Sequence, residues 1–353
     1  MSCVNIKHMS LISLYTEQLL SNGVEFDIIY MDTYNEDEDF TCSHKYRYVS
    51  LVGRRWPRLV KIFKYLKFVP YAKKILRRNK YDFVIVWNDV AIFLFADFLR
   101  RRYRGQYCLN VRDNMYYDKK VFMKRYERCF LASSFNTISS QAYLSFLPKQ
   151  AEYFRIHSFN ESVLNGMKQH DRLRMEGEPI RIGFIGYVRY FERNKKMLDV
   201  FANDPRFELH YYGAGASVLE EYAVANKIMN TRFHDSFPVA DTPKYLEQID
   251  IINNLYGNDS LNLRTAISIK FYHAMYAKIP ILVNTETYIG ELAHSLGFGY
   301  YVTNIDNDFK NQLYQWYHSL DFQALSEVCE KQLLAAKEDN HKLELLIQDR
   351  IIN

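Results

Sequence analysis

Residues 180–196 read IRIGFIGYVRYFERNKK. The first six, apolar apart from Arg181, form a short run that reads as a strand. Gly186 ends the run, and a cationic turn leads into a helix. Strand, glycine turn and helix together open a Rossmann-like unit. Arg189, Arg193, Lys195 and Lys196 crowd the turn and the first turn of the helix. A glycine that permits close backbone approach, a cationic loop and a helix N-terminus suit a diphosphate, because amides and helix dipole receive it and the cations neutralise it. A solvated loop with ordinary helix-start residues is the competing explanation.

The same alternation continues on both sides of this stretch. Downstream, FELHYYG (207–213), TRFHD (231–235), DIINNLY (250–256), IPILV (279–283) and GYYV (299–302) read as strands. Helices are expected over 194–203, 216–228, 241–248, 264–277 and 286–296. Upstream, VEFDIIYMD (24–32), YRYVSL (46–51), FVIVW (83–87), QYCLNV (106–111), FNTISS (135–140) and EYFRIHSF (152–159) read as strands. Helices are expected over 10–22, 57–79 with a break at Pro70, 89–103 and 119–133. Strands alternating with helices predict an α/β fold of two Rossmann-like domains with parallel sheets, facing a cleft. The domains are expected over 1–165 and 178–335, separated by the polar stretch 160–178, with a C-terminal helix over 336–353. The first domain departs from the pattern. MSCVNIKHM precedes its first helix, with no glycine before Gly23. Either the first strand is cut to about residues 3–6, or the true start lies upstream.

A chain of 353 residues with 29 Tyr and 24 Phe has ample material for two cores. Its five cysteines, Cys3, Cys42, Cys108, Cys129 and Cys329, are scattered and form no CxxC pair. That argues against a zinc site or a disulfide framework and suits a reducing cytosol. No signal peptide and no spanning apolar run are legible. The net charge of +5 conceals an asymmetry: residues 41–81 hold thirteen Lys and Arg and no acid, so the rest of the chain carries −8.

Several short patterns recur in a fixed order. They are the glycine and VR after a strand with KK in the next helix, YYGAG (211–215), DIINNLY, and SIKFYHAMYAKIPILV (268–283). In this order they resemble the donor-binding domain of GT-B glycosyltransferases, and are similar to the bacterial enzymes that assemble capsule, O-antigen and other surface polysaccharides. The resemblance covers roughly 180–302. It implies a domain that binds a nucleotide sugar, UDP- or GDP-linked, with no cofactor and no metal, cationic side chains replacing the metal at the diphosphate. Carried over, Arg189 and Lys195 or Lys196 contact the diphosphate, and Lys270 is a further phosphate contact. Gly186, Gly213, Asn254, Tyr256 and His273 complete the donor-binding set. Many retaining relatives carry two glutamates with seven residues between them, the second in an E-A-x-x-x-x-x-P context. Here those positions are Thr265 and His273. A neutral imidazole can still bond ribose hydroxyls. The alternative for His273 is a helix-face histidine that touches its neighbours.

In the first domain, Asn5, His8 and the sequence VRDN (111–114) are the candidates for the acceptor side. An inverting transfer needs a base for the acceptor hydroxyl; Asp113 is the first choice and His8 the second. Asn5 and Arg112 would help to line that side, although Asp113 could equally pair with Arg112 or cap the following turn. DED (37–39) superficially matches a metal-binding DxD but sits in an acidic loop, where solvation explains it.

The basic segment over 54–80 interleaves its cations with aromatics. Arg54, Arg55, Lys61, Lys64, Lys73, Lys74, Arg77 and Arg78 suit an anionic membrane surface. No nucleic-acid module accompanies them. Leu59, Ile62, Phe63 and Leu66 follow helical spacing and supply a core or an interface face. The expectation is a glycosyltransferase peripheral on the inner face of the plasma membrane, acting on a lipid-linked or growing surface-polysaccharide acceptor. The alternatives are a non-catalytic GT-B partner of another transferase and, third, a nucleotide-sugar epimerase. Oligomeric state is not legible.

Overall fold

The structure is a computed structural model that describes every residue except Ser10, Arg54, Arg55 and Asn160. The chain divides into two compact units, one of residues 1–157 with 337–353 and one of residues 158–336. The C-terminal segment expected to stand apart therefore belongs with the first unit, where Leu343 and Ile347 are buried in its core.

The first unit holds six strands: β1 (Asp27–Asp32), β2 (His44–Val49), β3 (Val84–Trp87), β4 (Tyr107–Val111), β5 (Phe135–Ile138) and β6 (Phe154–Arg155). β1 pairs with β2, and β3 to β6 follow in sequence order, all parallel. The second unit holds β7 (Ile180–Ile185), β8 (Phe207–Tyr212), β9 (Thr231–His234), β10 (Ile251–Asn253), β11 (Ile281–Asn284) and β12 (Gly299–Val302). Their spatial order is β12-β11-β10-β7-β8-β9, again all parallel. The order reverses at β7, so the carboxyl ends of β7 and β10 flank the switch point at which open α/β sheets take ligands.

Burial drives this sheet. Ile182, Phe184, Ile251, Ile252, Ile281 and Leu282 are buried in β7, β10 and β11, each worth roughly 1.5–3 kcal/mol relative to exposure. One buried carboxylate ties the amino ends together. Asp250 accepts from Arg181 Nη2 at 2.6 Å and from Arg174 Nε at 3.2 Å. At the carboxyl ends, glycine sets the spacing: a Cβ on Gly213 would stand 2.1 Å from the Gly186 carbonyl oxygen.

Two sequence expectations about helices fail. The helix Arg58–Asn79 runs through Pro70 without stopping, because Phe68, Ala72, Ile75 and Leu76 bury its second half and outweigh the one backbone bond that proline removes. The helix expected over 264–277 is two helices, Leu261–Thr265 and Ile269–Ala277, because the Ser268 hydroxyl caps the second by accepting from Lys270 N at 3.2 Å. Among the described residues, no helix is long and apolar enough to cross a membrane.

Gly213→Ala should destabilise the second unit by roughly 3 kcal/mol or more, since it combines a clash with backbone at φ +136°. Gly297→Ala meets open space at φ +82° and should cost only about 1 kcal/mol. Urea denaturation of the two variants measures the difference.

Candidate functional site

The loops that leave β7, β8, β10 and β11 enclose two hollows in the second unit. The first, about 350 Å³, is walled by Gly186, Tyr187, Gly213, Phe237, Ile269 and His273 among others. The second, about 310 Å³, is walled by Arg189, Asn254, Tyr256, Ser268, Ile269 and Thr287 among others. Ile269, at the start of the helix Ile269–Ala277, belongs to both walls. Each volume lies at the lower end of the ~300–1,000 Å³ typical of small-molecule sites.

Among the described residues, one buried polar atom of a residue that walls each hollow has no hydrogen-bond partner: His273 Nδ1 at the first and Asn254 Oδ1 at the second. Leaving such an atom unsatisfied costs roughly 1–3 kcal/mol, so the atom on the helix Ile269–Ala277 and the atom on the loop after β10 would each gain from a partner brought by a ligand. Burial, helped by the Lys270 amine, pulls the His273 pKa down to about 4, so the ring is neutral at pH 7.

Lys270 is only 2% exposed and turns away from both hollows. Its Nζ donates to the Asn253 carbonyl at 3.0 Å and lies over the Phe184 ring, 3.0 Å from the centroid. Desolvation first, and the Arg189 charge second, hold its pKa well below the ordinary lysine value. Lys270 and His273 share a helix, but only His273 lines a hollow.

Of the other predicted donor residues, Gly186 and Gly213 line the first hollow, and Arg189, Asn254 and Tyr256 line the second. Lys195 and Lys196 line neither. Lys195 pairs with Glu192 at 3.0 Å and covers the Tyr222 ring, while Lys196 is exposed. Arg193 is one of the cations of this turn but not one that the family resemblance carries to the diphosphate. Its guanidinium lies where a Cβ on Gly257 would stand 2.6 Å from Nη1, against a residue that walls the second hollow. Ser268 and Thr287 were also missed. Both cap helices here, and a Ser or Thr just ahead of a helical stretch is the signal that could have found them.

In the first unit, Asn5 is fully buried. Its Nδ2 donates to Asp32 Oδ1 at 2.7 Å and its Oδ1 accepts from Thr33 N at 2.8 Å. His8 is exposed, with Nε2 3.2 Å from Tyr34 Oη. Asp113 is exposed, and its backbone N–H donates to Asp89 Oδ2 at 2.9 Å. Asp89, unremarked in the sequence, also accepts from Arg112 N at 3.2 Å and Tyr117 Oη at 2.9 Å, and so holds the loop that carries Arg112 and Asp113. Burial, then the Asp113 charge, raises the Asp89 pKa to about 7.

The helix Arg58–Asn79 presents its basic residues beside bare apolar ones. Leu59 is 80% and Phe63 61% exposed, and Ile62 and Leu66 are exposed as well, so these four form a surface and not a core. Lys73, Lys74, Arg77 and Arg78 line one shallow basic hollow further along the helix. Lys61 and Lys64 are half-buried on its first half. Arg54 and Arg55 lie outside the described residues.

No family model matches the sequence, and no curated protein matches it. Solved structures match over nearly the whole chain. A sucrose-phosphate synthase from Thermosynechococcus elongatus has a TM-score of 0.69 at 11% identity, covering 99% of this chain and 98% of that one. The Anabaena protein HepE, in complex with UDP-glucose, has a TM-score of 0.60 at 11% identity, with 99% and 98% covered. A protein from Listeria monocytogenes assigned as a UDP-N-acetylglucosamine 2-epimerase has a TM-score of 0.52 at 10% identity, with 97% and 96% covered. At such identities the likeness is one of fold: two Rossmann-like parallel-sheet units, the GT-B fold.

The neutral His273 gives a pH test. An unfolded histidine takes up a proton near pH 6.5 and the buried one only near 4, so folding stability falls as pH drops through that window. His273→Gln should recover roughly 2–3 kcal/mol of the loss between pH 7 and 4.5 relative to the parent chain, as read by urea denaturation at the two pH values.

Proposed function

We propose that the protein is a glycosyltransferase that takes its sugar from a UDP- or GDP-linked donor bound in the second unit. The observation that carries this is the pair of unpartnered buried atoms, His273 Nδ1 and Asn254 Oδ1, one in each of two adjoining hollows at the switch point. The first hollow, largely apolar with Phe159, Ile185 and Phe237 in its walls and one neutral imidazole, suits the nucleoside. Its ribose hydroxyl would donate to or accept from the imidazole. The second hollow offers Arg189, with Arg193 against its rim and the capped start of the helix Ile269–Ala277, which together suit the diphosphate. Asn254 and Tyr256 remain for the sugar hydroxyls or phosphate oxygens.

In the transfer, an acceptor hydroxyl oxygen forms a bond to the anomeric carbon as the bond from that carbon to the diphosphate breaks. The nucleoside diphosphate leaves with the electron pair, and the Arg189 and Arg193 charges offset the negative charge that develops on it. The hydroxyl proton goes to a base, for which the exposed Asp113, steadied through Asp89, is the first choice and His8 the second. With Thr265 and His273 at the positions of the two glutamates, the chain has no carboxylate there to support a retaining course.

We also propose that the acceptor is a lipid-linked or growing surface polysaccharide and that the protein works on the inner face of the plasma membrane. The apolar and basic face of the helix Arg58–Asn79 supports this, at about 1 kcal/mol per basic residue near an anionic surface. A nucleotide-sugar epimerase is the second reading, favoured by the epimerase likeness; it would convert a nucleotide sugar with no acceptor added.

UDP or GDP at a hundredfold excess over its Kd should stabilise the protein by about 2.7 kcal/mol and raise its Tm accordingly. Asn254→Ala and Arg189→Ala should each weaken that nucleotide about tenfold, whereas Lys196→Ala should leave binding unchanged. A Tm that no nucleotide moves, or equal losses in all three variants, would reject the site.

Charge reversal at Lys73, Lys74, Arg77 and Arg78 should release the protein from phosphatidylserine vesicles in a sedimentation assay. Unchanged co-sedimentation would reject docking through that helix.

A further inference from the structure

Lys270 is a buried amine without a counter-ion. It is 2% exposed, and among the described residues no carboxylate pairs with it. One hydrogen bond holds it, donated from Nζ to the Asn253 carbonyl at 3.0 Å. Two aromatic faces enclose it, the Phe184 and Tyr256 centroids lying 3.0 and 4.8 Å from Nζ. A carbonyl and two ring faces are partners that suit an ammonium taken out of water. They carry no full negative charge, however, to offset the desolvation of an ion. The titratable groups around the amine supply none either. Arg189, on the loop after β7, is a second cation, and His273, three residues further along the same helix, is neutral. Tyr256, on the loop after β10, keeps its hydroxyl proton because burial raises its pKa to about 12. The chain by itself therefore holds a neutral amine in a cage that fits the ammonium.

The second hollow is built from the same surroundings. Arg189 and Tyr256 wall it, and so does Asn254, the next residue after the one whose carbonyl holds the amine. We propose that Lys270 is the counter-ion called up by a diphosphate in this hollow: Nζ takes one proton from solvent as the ligand binds and returns it as the ligand leaves. The lone pair on Nζ forms the new N–H bond, the buffer gives up the proton, and no other covalent bond changes. The driving force has two parts. A diphosphate paired with Arg189 cancels the repulsion that this guanidinium exerts on a charged Lys270. The remaining negative charge then favours the ammonium across one layer of side chains, where buried charges are little screened by salt. The amine needs no contact with the phosphates, so it responds to their charge while it faces Phe184. A nucleoside without phosphates leaves the proton in solvent. The role rests on the second hollow being the diphosphate site.

The test is calorimetry of UDP and of GDP binding to the full chain at pH 8, in Tris and in Hepes. At that pH a terminal phosphate, with its second pKa at about 6, is already ionised. The binding enthalpy should differ between the buffers by the amount that uptake of about one proton requires, and binding should weaken up to about tenfold per pH unit from pH 7.5 to 8.5. Lys270→Met puts a neutral side chain of similar length in the cage. It should bind the same nucleotide with equal enthalpy in both buffers and with an affinity that does not change with pH. A second measurement uses the parent chain labelled with carbon-13 at lysine. The Lys270 Cε resonance should lie at the neutral-amine position at pH 8 and move to the ammonium position as nucleotide is added. Binding without proton uptake, uptake that persists in Lys270→Met, or an ammonium resonance already present in the free chain would each overturn this role while the nucleotide site stands. Binding of neither nucleotide would remove both.

Discussion

Gly213 sits so close to the Gly186 carbonyl that a methyl group could not stand between them. That contact fixes how near the loops after β7 and β8 can come, and the first hollow is the space that their approach leaves under the helix Ile269–Ala277. Both residues have positive φ, which glycine adopts without strain. The packing below serves the same end. Asp250 clamps the amino ends of β7 and β10 through Arg181 and Arg174, while Lys270 ties the helix to the carboxyl end of β10 through the Asn253 carbonyl. The helix that carries His273 and the loop that carries Asn254 are thus held by packed elements, and a ligand meets polar groups whose desolvation has already been spent in folding.

Much of the fold was legible because burial on both faces of a parallel strand leaves an apolar run, unbroken in FVIVW and interrupted only by Arg181 in IRIGFI, and each run is followed by helical spacing. The helix break at Ser268 was not legible from periodicity, since 261–277 keeps helical spacing across it. Capping by a single hydroxyl decides it. That break rotates Lys270 inward, which is why a lysine set beside the phosphate by sequence order lies against Phe184 and Tyr256 instead. Pro70 misled in the opposite sense, because a local rule lost to the tertiary burial of Phe68 and Ala72.

The candidate site was legible where backbone geometry governs and not where side-chain direction does. Gly186, Gly213, Asn254 and Tyr256 follow from strand ends alone. Lys195 faces Glu192 and Tyr222, while Arg193, two residues earlier, reaches Gly257; a hundred degrees of helix rotation per residue separates the two outcomes. Asp89 escaped notice because its role is with backbone amides twenty-three and twenty-four residues away. The bare Leu59, Ile62, Phe63 and Leu66 show that helical apolar spacing is ambiguous between a core and a docking face until burial is known.

The central claim is that a nucleotide completes the hydrogen bonding of His273. The most direct measurement is the imidazole nitrogen spectrum of protein labelled with nitrogen-15 at histidine, recorded at pH 7 as UDP and then GDP are added. One of them should move the His273 Nδ1 resonance in step with binding while the ring stays neutral. A nucleotide that binds and leaves that resonance in place would contradict the account.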